Sequence, residues 1–198
     1  MAATAPVLAV LLCRGGGQRL PRLLSALAEL AVRPERVIAV HPQNCSATAE
    51  LLEKAQADEL IDEVVPLADL DEPLAGVDSA LRAADAVPSW SWLLTEDSVP
   101  EPDCLAELLR AAEEHPDAAM LGPLGLDLGD PRFVTDAGLS SDTCGRRRTC
   151  LRPSELDPAV TGAPVAVTGV LAVPAAGALL RTSVFSELGG FDGTTDAE

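Results

Sequence analysis

Two adjacent carboxylates, Glu96-Asp97, follow the run Trp90-Ser91-Trp92-Leu93-Leu94-Thr95. A largely apolar run of this length is the pattern of a strand buried on both faces of a parallel sheet, and open α/β sheets bind ligands at the carboxyl ends of such strands. A carboxylate there can hold a divalent cation that bridges the two phosphates of a nucleoside diphosphate and neutralises charge on a departing diphosphate. The same pair could instead leave the strand only to cap the helix that follows. Two other segments fall at strand ends. Gly15-Gly16-Gly17 breaks the chain after the run 6–13, and His41-Pro42-Gln43-Asn44-Cys45-Ser46 follows the run 36–40. His41 or Asn44 could hydrogen-bond a base or a ribose, although a single histidine at a strand end also serves as an ordinary surface residue.

The elements that must position these groups are readable from apolar periodicity. Strands are predicted over 6–13, 36–40, 61–66, 89–95 and 118–121. Between them, Leu20, Leu23, Leu24, Leu27 and Leu30 recur at helical spacing, and Ser46 is placed to cap a helix reaching Ala57. A third helix is predicted over 72–86, and a fourth begins at Pro100 and Pro102 with a stripe of Leu105, Leu108, Leu109 and Ala112. This β-α-β-α order predicts an α/β fold with a mostly parallel central sheet, right-handed crossovers and helices on both faces. Trp90 and Trp92 alternate with Ser91 and so share one packed face. After Gly122 the texture changes to Pro, Gly, Asp and Arg, consistent with loops and a hairpin over 133–149. Two more strands, 165–173 and 178–181, precede a short helix from Thr182 or Ser183 that Gly189-Gly190 ends. With no repeat and no linker, one domain over 1–198 is the simplest organisation.

Composition narrows the function classes. The 198 residues carry 31 acids against 14 Lys and Arg, a net charge of −17, which argues against nucleic acid as a partner because phosphate backbones need a basic face. No apolar run approaches the ~20 residues that cross a bilayer. Five cysteines at irregular spacing (Cys13, Cys45, Cys104, Cys144, Cys150) suggest reduced thiols and a cytoplasmic setting. Cys144 and Cys150 have no second pair or nearby His to make a zinc site. Arg146-Arg147-Arg148 suits a solvated hairpin tip, and His115 suits the negative end of a helix.

The ordered set of motifs resembles bacterial family-two glycosyltransferases over nearly the whole chain. Trp90-Ser91-Trp92-Leu93-Leu94-Thr95-Glu96-Asp97, then Pro100-Glu101-Pro102-Asp103 and a Leu-rich helix, looks like that family's aromatic strand and acidic metal motif. Leu20-Pro21-Arg22-Leu23-Leu24, Arg33-Pro34-Glu35-Arg36-Val37-Ile38, His115-Pro116-Asp117 with the strand after it, Ala175-Ala176-Gly177-Ala178-Leu179, and Leu188-Gly189-Gly190-Phe191-Asp192 match in order. The resemblance implies a single GT-A (Rossmann-like) domain with a nucleotide-binding half over 1–122 and an incomplete acceptor-side half over 123–198. It implies a nucleoside-diphosphate sugar as donor and Mn or Mg as assisting cation. The acceptor would be a glycan or a lipid-linked glycan, with a role in cell-envelope polysaccharide. It places the protein in the cytoplasm or at the inner face of the plasma membrane, with membrane association through regions absent from this chain.

Carried over by position, Asp97 is the metal ligand and Glu96 its neighbour, both at the donor site with His41 and Asn44. Thr95 stands where the first acid of the motif usually sits, and His41 where an Asp usually holds the nucleoside. Asp192 and Asp196 are the nearest substitutes for the acceptor-side base, with Glu198 beyond them. These departures keep open a second reading, an inactive GT-A-like domain in scaffolding or partner binding. The Gly15-Gly16-Gly17-Gln18-Arg19-Leu20 loop also resembles that of nucleotidyltransferases. It lacks their phosphate-holding lysine, since Lys54 is the chain's only one and Arg22 is a planar fork rather than a compact ammonium. That loop serves equally where a turn simply needs glycine geometry.

Overall fold

A computed structural model of the chain describes residues 6–15, 18–68, 75–84, 87–149, 156–162 and 167–191. In chain order the elements are β1 (Val7–Leu12), α1 (Leu20–Ala28), β2 (Arg36–Pro42), α2 (Ser46–Ala57), β3 (Glu63–Leu67), α3 (Ala75–Ala83), β4 (Trp90–Thr95), α4 (Cys104–Glu114), β5 (Met120–Leu121) and β6 (Gly125–Leu126). They continue through β7 (Val134–Asp136), β8 (Leu139–Ser141), β9 (Arg147–Thr149), α5 (Pro158–Thr161), β10 (Leu179–Arg181) and α6 (Thr182–Glu187).

Six strands form one sheet in the order β3-β2-β1-β4-β10-β5. The β1–β2, β2–β3 and β1–β4 pairs are parallel, while β10 runs antiparallel to both β4 and β5. The apolar runs buried β1 and β4 on both faces, as expected of strands at the centre of a doubly wound sheet. On one face, Leu20, Leu23 and Leu27 of α1, Leu52 of α2 and Leu105 and Leu108 of α4 pack on Ala9, Leu11, Trp92 and Leu94. On the other, Val77 and Ala80 of α3 and Phe185 of α6 pack on Leu8, Val10, Val40 and Leu180. Trp90 and Trp92 do share the first of these faces.

Register decides what this core positions. Leu12 pairs with Val40 on one side and with Thr95 on the other, so β1 and β4 end level while β2 runs two residues further, to Pro42. The ends of β1 and β4 form a rim carrying Arg14 and Glu96.

The second half departs most from expectation. The predicted strand 165–173 does not form over its described residues, where only Ala172 makes a bridge, to Leu139. The hairpin is β8 with β9, while β7 pairs with β6 instead. Pro100 and Pro102 precede α4 rather than open it, and Cys45 rather than Ser46 occupies the cap position of α2. Residues 72–74 and 85–86 of the predicted third helix lie outside the described residues.

Candidate donor-binding cleft

At the rim a cleft of about 470 Å³ opens between the ends of β1 and β4, lined by Arg14, Gln18, Arg19, Thr95, Glu96 and Asp97 with Leu12, Ala175 and Ala176. The backbone N–H of Glu96 donates to Leu12 O (3.3 Å), and the N–H of Arg14 donates to Glu96 Oε2 (3.2 Å), which ties the two strand ends together. Asp97 sits one residue further out. Its Oδ1 accepts from the Thr95 hydroxyl (2.5 Å), and that hydroxyl also contacts Ser98 Oγ (2.9 Å). Its Oδ2 lies 3.7 Å from Arg19 Nη1, with both side chains more than half exposed (69% for Arg19, 55% for Asp97). A pair this exposed contributes little to stability, and either group can turn to a ligand.

The cleft is therefore lined by two arginines and two acids. The guanidiniums suit phosphate oxygens, which they can bind through paired N–H donors. The carboxylates fit a cation in one specific sense. Among the described residues no three His, Cys, Asp or Glu side chains converge, so there is no all-protein cage. Mg2+ and similar hard cations are typically held by one or two carboxylates with waters and substrate phosphates completing the shell, and Asp97 beside Glu96 meets that requirement.

The other residues singled out from sequence are placed differently. His41 is 5% exposed, and its Nδ1 lies 2.9 Å from Pro42 O, so its ring is engaged inside the fold and does not line the cleft. Asn44 lies in the exposed turn between β2 and α2, also outside the cleft lining. Asp192 and Asp196, with Glu198, lie outside the described residues, as do Gly16, Gly17 and Cys150. Gly15 has φ +92°, and a Cβ there would come within 3.3 Å of Cys45 Sγ, so glycine is what lets the loop close on the β2–α2 turn. Cys45 Sγ donates to Gly15 O (3.2 Å), and hydrogen bonds from the Thr48 hydroxyl and then the Thr48 N–H hold its thiol below the ordinary value.

Arg14 and Arg19 are the lining residues that sequence reasoning passed over. The signal was their position, one just past β1 and the other just before α1, at the same sheet edge as the acids.

No protein-family model matches the sequence, and no curated protein matches it. Solved structures do. The mannosyltransferase PcManGT from Pyrobaculum calidifontis, in complex with GDP-Man and Mn2+, matches over 98% of this chain and 49% of its own, with a TM-score of 0.64 and 13% identity. S. aureus TarS 1–349 matches over 97% of this chain and 52% of its own, with a TM-score of 0.58 and 14% identity. The same TarS fragment in complex with UDP-GlcNAc matches over 93% and 47%, again with a TM-score of 0.58. The chain thus spans about half the length of the structures it matches. At these identities the likeness establishes the fold: an α/β architecture of the GT-A glycosyltransferase type.

Proposed function

We propose that the chain binds a nucleoside-diphosphate sugar at the ends of β1 and β4 and transfers the sugar to an acceptor hydroxyl, assisted by Mn2+ or Mg2+. The observation that carries this reading is Asp97, an exposed carboxylate at the sheet's mouth in a cleft that also holds two arginines. The fold supports it, being shared with a mannosyltransferase solved with GDP-Man and Mn2+. In this reading residues 1–122 hold the nucleotide and residues 123–198 face the acceptor.

Asp97, with Glu96 beside it, would hold the cation, which when bound neutralises charge on the leaving diphosphate. Arg14 and Arg19 orient phosphate oxygens through their N–H donors, Arg19 exchanging its exposed contact to Asp97 for a phosphate. The acceptor oxygen bonds to the anomeric carbon as the carbon–diphosphate bond breaks. The electron pair leaves with the diphosphate and the hydroxyl proton passes to a base.

Thermal unfolding with UDP, GDP and dTDP, each with and without Mn2+, tests the proposal. A diphosphate at a hundred times its dissociation constant raises Tm by roughly 5–10 °C for a chain of this size. The expected result is a manganese-dependent rise that Asp97→Asn abolishes. A rise with CTP or GTP instead would favour a nucleotidyltransferase. A second reading, a GT-A-like domain that does not transfer sugar, is favoured by the burial of His41 where the sequence resemblance puts a nucleoside-binding carboxylate. It requires that no nucleotide shifts Tm.

A further inference from the structure

We infer that Arg19 makes cation binding conditional on the diphosphate: it holds Asp97 and releases the carboxylate only when phosphates draw its guanidinium away. The inference rests on the transferase reading and names what regulates that same site. Register brings the two groups together. Leu12 pairs with Thr95, so the loop leaving β1 and the turn leaving β4 emerge side by side. Arg19 ends that loop as the residue before α1, and its carbonyl accepts the N–H groups of Arg22 (3.0 Å) and Leu23 (3.4 Å). Leu20 beside it is fully buried, which fixes the backbone of Arg19 while its side chain stays largely exposed.

Both oxygens of Asp97 are engaged. Oδ1 accepts from the Thr95 hydroxyl (2.5 Å), and Oδ2 faces Arg19 Nη1 at 3.7 Å. Glu96 is engaged as well, its Oε2 accepting from the Arg14 N–H (3.2 Å). Among the described residues no third acid converges here to strengthen the hold on a cation. The charged residues that line the cleft, Arg14, Arg19, Glu96 and Asp97, cancel to a net charge of zero. A divalent cation by itself therefore meets no net attraction, and it must displace a guanidinium that repels it. A diphosphate by itself meets the same neutral lining, with two carboxylates opposing the pull of the arginines. The two together are different. The cation cancels charge on the phosphates, and the phosphates offer Arg19 paired acceptors in place of one carboxylate oxygen at 3.7 Å. Each ligand thus removes the obstacle to the other, which is positive coupling between them.

The test measures binding of Mn2+ alone to the full chain by electron paramagnetic resonance at low ionic strength, and binding of UDP and GDP in excess Mn2+ by calorimetry. Arg19→Gln is expected to tighten binding of Mn2+ alone by about threefold to tenfold, because one opposing charge is gone. The same variant should weaken nucleotide binding in Mn2+ by about tenfold, since a charged donor to the phosphates is lost. Damage to the fold would weaken both, so the opposite signs are the signature. Arg19→Lys keeps the charge and should bind Mn2+ alone within about twofold of the native chain. Arg22→Gln removes the same charge from an exposed site outside the cleft lining and should also stay within about twofold. In about 1 M KCl the gain in Arg19→Gln should shrink below twofold, because salt screens it. Unchanged or weaker binding of Mn2+ alone in Arg19→Gln, or an equal gain in Arg22→Gln, would overturn the inference. If nucleotides still bind the native chain with Mn2+ in that case, the transferase reading stands and only the role of Arg19 is lost. A native chain that binds no nucleotide even with Mn2+ would sink the transferase reading and the inference with it.

Discussion

Thr95 stands two residues before Asp97, and its hydroxyl donates to Asp97 Oδ1, which favours one orientation of the exposed carboxylate. Removing that donor in Thr95→Val should cost about 1 kcal/mol of nucleotide binding, roughly a fivefold loss in affinity that calorimetry with UDP or GDP and Mn2+ would read. Asp97→Asn should cost far more, because it removes the charge itself. If both variants bind alike, Asp97 acts by shape and not as a cation ligand. A second residue at this rim makes a pH prediction. Burial first, and the charge of Glu96 second, push the Cys13 thiol from 9.0 up to about 12. Burial likewise raises Cys104 to about 11. For an acid raised in the fold, the unfolded chain loses its proton first as pH climbs. Between pH 9 and about 12 the unfolded state then binds fewer protons than the folded one, so stability is full below pH 9 and falls through that window. Urea midpoints measured against pH should show this decline, and Cys13→Ala should flatten it even while costing packing at neutral pH. An unchanged slope would remove Cys13 from the account.

Gly177 joins the last strand to the cleft. Its N–H donates to Leu93 O (2.8 Å), its carbonyl accepts from Trp92 Nε1 (3.2 Å), its φ is +89°, and a Cβ there would fall 2.6 Å from Pro123 Cγ. Gly177→Ala meets both a disfavoured backbone region and a proline ring that cannot swing aside, so it should cost about 2–4 kcal/mol in urea unfolding. A loss under about 0.5 kcal/mol would mean that Pro123 moves freely, since such a value is typical of neutral surface changes. At this scale β1, β2 and β4 and their helices were legible, because a strand buried on both faces must be apolar throughout and a helix between such strands must carry a stripe. The segment 165–173 looked like a strand because Val favours strands, but that preference expresses packing on a sheet face. Its described residues find only the isolated bridge at Ala172. Nor could local pattern show that β10 inserts antiparallel between β4 and β5, since that choice depends on pairing across more than 80 residues, as Leu179 pairs with Trp92. At the site, Asp97 and Glu96 were readable as acids ending a buried strand. Arg14 and Arg19 were not, because the glycines between them drew the phosphate argument to the loop and its missing lysine. His41 turns inward because β2 runs on to Pro42, two residues past its expected end, and strand alternation then puts its side chain on the face of Val37 and Ala39.

The late insertion of β10 makes the sheet depend on both ends of the chain. Arg181, at the end of β10, lies over the Trp90 ring with its guanidinium carbon 4.3 Å from the centroid. Its Nε donates to Ala118 O (3.2 Å) and its Nη2 to Pro116 O (2.8 Å), which pins the turn between α4 and β5 against β4. Beside it, Ser91 Oγ and Thr182 Oγ1 make a buried 2.9 Å hydrogen bond. Three chain segments far apart in sequence therefore meet on one guanidinium. Arg181→Ala removes two hydrogen bonds and a cation–π contact, an expected loss of about 2–3 kcal/mol. Arg181→Lys should recover only a small part of it, because an ammonium cannot reach two carbonyls and cover the ring in one plane. Both indole rings sit on β4 beside this junction, so tryptophan fluorescence reports on it directly. In the native chain the urea midpoints by fluorescence and by far-ultraviolet circular dichroism should coincide, as they do when all strands of a sheet unfold together. A fluorescence midpoint well below the dichroism midpoint would mean that β10 detaches while the parallel strands persist. Arg181 would then be a local clasp, and the sheet would not be one cooperative unit.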